Sequence, residues 1–165
     1  MKKLFFSLLL LGFTIQVYAQ ITVLPEVAIT VNYKYLDAVN SEDMAEGVKM
    51  LREEVAFYDL KDSELYKDEY DTYFVSFFIP EGKILAAYDK DGILIRTIEK
   101  FKNIKLPQDV LTAVANRFPE WGIAKDIYKV NYHHEKGATK EVFRIKLENG
   151  DKTVMVKIAP DGNFM

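Results

Sequence analysis

The residue types that most often carry chemistry are sparse in this sequence, and its two histidines, His133 and His134, are adjacent. Neighbouring side chains of a strand point to opposite faces, so on the strand predicted below the two imidazoles cannot close on one ion. A zinc site also needs further ligands, and the sequence has no cysteine to supply them. We therefore expect two surface histidines at a strand end and no metal site.

The Asp89-x-Asp91-Gly92 segment has the spacing found in the middle of a calcium-binding EF-hand loop. Placing Gly92 at the sixth loop position puts Ala87 first and Ile98 last, where such a loop needs carboxylates. We therefore expect no calcium site. Asp91-Gly92 is better explained as a tight turn between two strands, in which the glycine adopts a positive φ.

Serine-based and nucleotide-based catalysis are also unsupported. Ser41, Ser63 and Ser76 lack the Gly-x-Ser-x-Gly setting of a serine nucleophile and have no histidine motif nearby. No glycine-rich loop that could hold a phosphate is present in the sequence. The sequence predicts no catalytic residue and no cofactor, and we interpret the protein as a non-enzyme.

The N-terminus has the three parts of a secretory signal. These parts are the basic pair Lys2-Lys3, the apolar run from Leu4 to Phe13 and the small-residue site Val17-Tyr18-Ala19. We expect a signal peptide over residues 1–19 and a mature chain that begins at Gln20. The apolar run is shorter than the about 20 residues of a membrane span. Without a cysteine after the cleavage site we expect no lipid anchor, so the predicted location is periplasmic or extracellular.

The composition of the chain suits one globular domain, which we place at residues 20–165. The chain has 165 residues, of which 49% are hydrophobic and 28% charged. Its formal net charge of −3 argues against nonspecific binding of nucleic acid. Acidic residues are concentrated in one stretch that we expect to be a solvated loop. They are Asp59, Asp62, Glu64, Asp68, Glu69 and Asp71.

Residues 27–92 are predicted to form one β-α-β-β-β unit. Val27 to Leu36 alternates apolar and polar residues as a half-buried strand does. Ser41 offers an N-cap for a helix of about three turns. Three strands would follow, the last two joined by a turn at Pro80-Glu81-Gly82. They are Val55 to Asp59, Tyr70 to Ile79 and Lys83 to Asp89.

Residues 93–162 repeat this order. Ile93 to Lys100 reads as a strand, and Pro107 begins a helix that stops at Pro119. Three alternating strands follow. They are Ile127 to His133, Val142 to Leu147 and Thr153 to Ala159. Two tandem β-α-β-β-β repeats, with one helix each, predict an α+β fold in which the helices pack on one face of an antiparallel sheet.

The alternation of the last three strands predicts which side chains the helices leave uncovered. Lys129, Arg144, Lys146 and Lys157 fall on the open face together with Met155, and they predict a cationic patch. Lysine and arginine also keep an exposed sheet soluble and discourage pairing at its edge. From the sequence, a partner-binding role and a solubility role both remain open.

The strand from Tyr70 to Ile79 is apolar on both of its faces. Tyr73 and Phe77 lie on one face, and Phe74 and Phe78 on the other. An exposed aromatic face is typical of a binding surface, although the linker before the second helix could cover it instead. We take Tyr73 and Phe77 as the candidate aromatic anchors for a partner.

Five segments together carry a family resemblance. They are Tyr88-Asp89-Lys90-Asp91-Gly92, Ile95 to Lys102, Leu106-Pro107, Phe118-Pro119-Glu120-Trp121 and Tyr128-Lys129-Val130. The chain resembles the PepSY-like exported proteins, also called the beta-lactamase-inhibitor-like family. The resemblance implies a tandem helix-on-sheet fold, with relatives proposed to bind or inhibit peptidases or other secreted enzymes through an open sheet face. It implies no catalytic residue.

These observations predict an exported, non-enzymatic binding module that holds a protein partner on its open sheet face. Lys129, Arg144, Lys146 and Lys157 would attract an acidic partner, and exposed aromatic side chains would anchor it. The alternative is a protein that binds a small ligand or an envelope component in an aromatic pocket. A native mass measurement that retains a small ligand would favour this alternative.

Overall fold

The computed structural model describes residues 26–165, with side chains from residue 32 onward except that of Thr139. The predicted signal peptide lies outside the described residues. The helices and strands are α1 (Glu26–Val39), α2 (Glu46–Ala56), β1 (Thr72–Ile79), β2 (Gly82–Asp89), β3 (Leu94–Lys102), α3 (Gln108–Arg117), β4 (Gly122–His133), β5 (Gly137–Asn149) and β6 (Lys152–Ile158). No helix of this part of the chain is long and apolar enough to cross a membrane.

The six strands form one antiparallel sheet in which each strand pairs with the next one along the chain. The helices cover one face of this sheet, because α1 contacts β3, β4 and β5 while α2 contacts β1 and β2. The helix-facing side chains of the strands, among them Val75, Phe101 and Ile145, join Val110 and Val114 of α3 in a single hydrophobic core. The predicted α+β class with an antiparallel sheet and helices on one face is confirmed.

Short turns join β1 to β2 and β2 to β3. Pro80 and Glu81 lie between the paired residues Ile79 and Gly82 at the β1–β2 turn. Gly92 between β2 and β3 has a φ of 79°, a conformation that glycine adopts without strain, so the predicted turn is confirmed. Gly82 has a different role: a Cβ built there would lie 2.3 Å from the Lys100 carbonyl oxygen, so only glycine lets β2 approach β3 this closely.

The prediction of a strand over Val27 to Leu36 is wrong, because these residues lie in α1. Asn32, Tyr35 and Val39 are buried there, at the spacing of one helix face. The same stretch therefore satisfies both a strand period and a helix period, and packing on the sheet selects the helix. Asn32 Nδ2 donates a hydrogen bond of 2.6 Å to the carbonyl oxygen of Ala56 and so links α1 to α2.

Two further expectations for the first half are also wrong. Val55 and Ala56 end α2, and the residues up to Asp59 continue into turns rather than a strand. Ser41 lies in a turn in which its carbonyl oxygen accepts from the Met44 amide, and α2 begins after Ala45. The described part of the first half, up to residue 92, therefore has the order α-α-β-β, not β-α-β-β-β.

The second half follows the predicted alternation closely. Tyr128 is opposite Phe143, and Ile145 is opposite Val156, so the apolar positions of β4, β5 and β6 share the helix-facing side. The rings of Tyr128 and Phe143 stack with centroids 4.3 Å apart. The strands are longer than predicted, because β4 begins at Gly122 and β5 at Gly137.

Candidate protein-binding face

The open face of the sheet is defined here as the side that the helices leave uncovered, and its register brings basic residues of several strands together. Lys83 of β2 is directly opposite Lys100 of β3, and Lys100 is directly opposite Lys129 of β4. Directly opposed residues of an antiparallel pair have Cβ atoms only about 4.5–5.5 Å apart. Three ammonium groups therefore form one row across three neighbouring strands.

A second group of cations lies beside this row, on β5 and β6. Arg144 is directly opposite Lys157, and Lys146 is directly opposite Met155. Arg144 also faces Ile127, whose neighbouring row position on β3 is Lys102. The structure thus places the four predicted cations, Lys129, Arg144, Lys146 and Lys157, on one continuous surface. Their part in binding stays a prediction.

Most of these charges have no counter-ion. Lys146 Nζ forms an ion pair of 2.6 Å with Glu148 Oε1 at the far end of β5. Among the described residues, no acidic side chain pairs with Lys83, Lys100, Lys129, Arg144 or Lys157. Like charges placed directly opposite one another on a sheet lower its stability. The open face therefore carries an electrostatic cost that its own acidic residues do not relieve.

Two depressions lie between the long basic side chains of the open face. One of about 230 Å³ is lined by Lys129, Lys140, Arg144 and Lys157 around the buried Val142. Another, of about 340 Å³, extends from Lys102 to Met155. Met155 itself is 61% exposed, so an apolar side chain stands within a ring of cations. Such a surface offers an apolar contact surrounded by positive charge.

The aromatic end of the open face consists of different residues from those predicted. Tyr73 and Phe77 are buried, with 6% and 5% of their surface exposed, so their prediction as exposed anchors is wrong. They pack beneath the segment before β1, with Tyr66 stacked on Tyr73 at 5.6 Å. Their neighbours Phe74 and Phe78 are 57% and 66% exposed. The predicted alternation of side chains along β1 is confirmed, but the exposed face carries Phe74 and Phe78 rather than Tyr73 and Phe77.

Sequence reasoning missed the cations that β2 and β3 contribute. Lys83, Lys100 and Lys102 alternate with the buried Ile84 and Phe101, a signal that was present in the sequence. This alternation is hidden when residues 100–105 are interpreted as the linker before the second helix. The structure instead extends β3 to Lys102, because the amide of that residue donates to the carbonyl oxygen of Glu81 at 2.7 Å.

The helix-covered face holds its charge in a very different way. Arg52 of α2 and Glu99 of β3 are fully buried, and Nη2 of the arginine lies 2.8 Å from Oε2 of the glutamate. Tyr35 and Thr97 donate hydrogen bonds of 2.8 and 2.9 Å to the other carboxylate oxygen. Arg52 also donates to the carbonyl oxygen of Val39. This set of five residues, which we call the Arg52 cluster, joins both N-terminal helices to β3.

The pKa values follow from this burial. Burial lowers the pKa of Arg52, but the adjacent Glu99 carboxylate together with Tyr128 and Tyr35 outweighs it and the net shift is upward, so the arginine stays charged. The pKa of Tyr35 is raised first by burial and then by Glu99, which keeps the hydroxyl protonated as a donor. Both shifts keep the cluster in one protonation state, with Arg52 charged and Tyr35 protonated.

The two histidines lie together at the end of β4, but not as predicted. Their rings stack with centroids 4.9 Å apart, because His134 begins the turn after the strand and no longer obeys its alternation. The His134 ring nitrogen Nδ1 lies 3.2 Å from the Ile95 carbonyl oxygen. Within residues 26–165, no group of three or more histidine, aspartate or glutamate side chains is arranged to hold a metal ion.

No family model matches the chain, and no curated protein matches it. Solved structures are similar to it at low TM-scores, among them two from Bacteroides species. A BLIP-like protein from Bacteroides fragilis NCTC 9343 is 15% identical, with 87% of this chain and 85% of that chain covered and a TM-score of 0.34. A DUF2874 family protein from Bacteroides ovatus ATCC 8483 is 10% identical, with 87% and 86% covered and a TM-score of 0.35.

Proposed function

We propose that this protein is an exported, non-enzymatic binding module that holds an acidic protein partner on its open sheet face. The partner class that the family resemblance implies is a secreted enzyme, such as a peptidase, which the module would inhibit by covering part of its surface. Lys129, Arg144, Lys146 and Lys157 would contact the acidic groups of the partner. Lys83 and Lys100 would extend the contact toward β1.

The observation that carries this proposal is the row of directly opposed lysines, Lys83, Lys100 and Lys129. Solubility alone needs lysines on an exposed sheet, but it does not need them opposite one another, where they repel. An acidic partner would remove this repulsion on binding, so part of the electrostatic cost of the free protein would be recovered in the complex. Charge complementarity of this kind also speeds association and selects among partners.

The shape of the open face supports a protein partner over a small ligand. Two depressions on this face, of about 230 and 340 Å³, are at or below the lower end of the about 300–1,000 Å³ of small-ligand pockets, and each is lined by several basic side chains. The aromatic rings that could have lined an enclosed pocket are packed against one another instead, as for Tyr128 between Phe143 and Phe101. A flat surface with exposed Met155 and Phe78 offers apolar contacts spread over a wide area.

The test is affinity capture from the envelope and medium of the source organism with three purified baits. They are the wild type, a face variant and a matched control. The face variant carries Lys129→Glu, Arg144→Glu, Lys146→Glu and Lys157→Glu. The control carries the same change of net charge at exposed lysines away from this face: Lys34→Glu, Lys67→Glu, Lys90→Glu and Lys136→Glu. Circular dichroism melting confirms that all three are folded.

We expect an acidic protein that the wild type and the control retain, that the face variant loses, and that moderate salt elutes. The captured protein is then purified and titrated with the wild type, and its activity is measured if it is an enzyme. Equal retention by the face variant would contradict the proposed site. A small molecule carried by the wild type in native mass spectra, with no protein captured, would support the ligand-binding alternative.

A further inference from the structure

The two edges of the sheet differ in how they are protected. At the β6 edge the C-terminal residues fold back, with Phe164 bridged to Ile158 and the Met165 amide donating to the Lys157 carbonyl oxygen at 2.9 Å. β6 also carries charged residues, including Lys152 and Lys157. Both features discourage pairing with another strand.

The β1 edge has neither protection. Among the described residues, no strand pairs with its outer side, since β1 is terminal in the sheet order and pairs with β2 alone. The eight residues Thr72–Ile79 contain no charged side chain, no proline and no glycine. A long, neutral, aromatic edge strand presents a row of unpaired amides and carbonyls that can bind another strand.

We propose that β1 pairs in antiparallel orientation with β1 of a second copy of this chain, in a register centred on Ser76. Residues directly opposite each other in an antiparallel pair share a face. With Ser76 opposite its own counterpart, Phe74 lies opposite Phe78 of the second copy, and Phe78 lies opposite Phe74. Two aromatic cross-strand pairs then form on the open face, from side chains that are 57% and 66% exposed in the single chain.

The covered side of the strand fits the same register. Val75 lies opposite Phe77 of the second copy, and Tyr73 lies opposite Ile79, so no charged residue falls on this side of the join. Tyr73, Val75 and Phe77 are already buried in the single chain, so the new apolar contact comes from the open face. The arrangement is two-fold symmetric and closes on itself, as in the commonest class of homodimer. In this register β1 pairs with itself over residues 73–79, and the second copy supplies the phenylalanine rings that pack against the exposed Phe74 and Phe78.

The dimer would place both open faces side by side on the same side of one continuous sheet. The two Lys83 side chains would be separated by three strand spacings across the sheet, about 14 Å, and by four residues along the strands, about 13 Å. Their separation therefore exceeds a Debye length of about 8 Å at physiological ionic strength. The nearest like charges are acidic: Asp71 lies beyond the end of β1, near the position of Glu81 of the second copy. Added salt should therefore strengthen this dimer, whereas it should weaken capture of an acidic partner.

The absence of cysteine from the chain makes a direct test available. In Ser76→Cys the only two thiols of the dimer would be directly opposite each other. Thr72 lies on the same strand and the same exposed face as Ser76. In Thr72→Cys the two thiols of the dimer would be eight residues apart along the join. Both variants are exposed to mild oxidation, and the disulfide-linked dimer is measured by non-reducing electrophoresis.

We expect Ser76→Cys to form the linked dimer at least tenfold faster than Thr72→Cys. Sedimentation equilibrium should show a wild-type dimer that Ser76→Lys converts to a monomer with an unchanged melting temperature. Equal rates for the two cysteine variants, or a wild type that stays monomeric at all concentrations, would overturn the proposal. The disulfide rates and the sedimentation result do not depend on Lys129, Arg144, Lys146 or Lys157, so this proposal and the proposed function can fail separately.

Discussion

The two faces of the sheet use charge in opposite ways. On the covered face, Arg52 and Glu99 are fully buried and surrounded by partners that leave little of their hydrogen-bonding capacity unused. On the open face, Lys83, Lys100 and Lys129 oppose one another without a counter-ion among the described residues. The first arrangement holds the helices on the sheet. The second costs stability and is available to a partner.

This difference shows where substitutions should matter. Removing one charge from the covered face leaves its partner buried without a counter-charge, which strongly lowers the free energy of unfolding. Removing one charge from the open face relieves repulsion in water, where the effect is small and screened by salt. The same residue types should therefore give effects of opposite sign on the two faces.

The largest expected effect is that of Glu99→Gln. It leaves the buried Arg52 guanidinium without a counter-charge, and we expect a loss of about 3–5 kcal/mol in the free energy of unfolding, measured by urea denaturation. The double variant Arg52→Met, Glu99→Leu is the control, since it removes both charges and should recover most of the loss. A single variant that loses less than the double variant would contradict the charge argument.

A smaller loss is expected for Tyr35→Phe. The hydroxyl of Tyr35 donates to Glu99 Oε1, so its removal leaves that oxygen with Thr97 as its remaining donor. We expect a loss of about 1–3 kcal/mol, the usual cost of an unmet buried hydrogen bond. Tyr33→Phe on the same helix is the control, because Tyr33 is 53% exposed and its hydroxyl can bond to water. Similar losses for the two variants would show that the bond to Glu99 contributes nothing.

On the open face we expect a gain. Lys100→Gln removes the middle charge of the lysine row and should raise the free energy of unfolding by about 0.2–1 kcal/mol at low salt. The gain should disappear at high salt, because screening removes the repulsion from the wild type as well. Lys90→Gln, in an exposed turn, is the matched control. A gain that is independent of salt would mean that repulsion between the lysines is not its cause.

The smallest expected effect concerns Asp126, a buried residue of β4. Burial raises the pKa of this carboxyl, and hydrogen bonds from the amides of Ile104 and Asn103 partly oppose the rise. The folded protein therefore binds the proton more tightly than the unfolded chain, so this group favours folding in acid and loses that contribution as the pH rises through its folded pKa.

Asp126→Asn tests this sign directly. The side-chain oxygen of asparagine can still accept from the Ile104 amide, which lies 3.3 Å from Asp126 Oδ1. We expect the variant to be more stable than the wild type at neutral pH, with the difference shrinking as the pH falls through the raised pKa of the folded state toward the ordinary aspartate pKa. Urea denaturation at a series of pH values measures it. A stability difference that grows toward acid pH would show that the pKa of Asp126 is lowered, not raised, in the folded protein.

The sequence predicted the second half of the molecule better than the first, for a physical reason. In β4, β5 and β6 the apolar residues alternate strictly with charged ones, so only one face can be buried and the register follows. β1 is apolar on both faces, and alternation cannot say which face is covered. The segment of α1 fits two periods at once, and its β-branched residues favoured the wrong one.

The sequence alone determined the order of turns and strands from Gly82 onward, the α+β class and the clustering of Lys129, Arg144, Lys146 and Lys157. These depend on local geometry: glycine at positive φ, proline at a helix start and the two-residue period of a strand. Only the tertiary structure decided that residues 26–39 are helical, that Phe74 and Phe78 are exposed, and that Arg52 meets Glu99. These depend on contacts between residues far apart in the chain, whose geometry no local pattern contains.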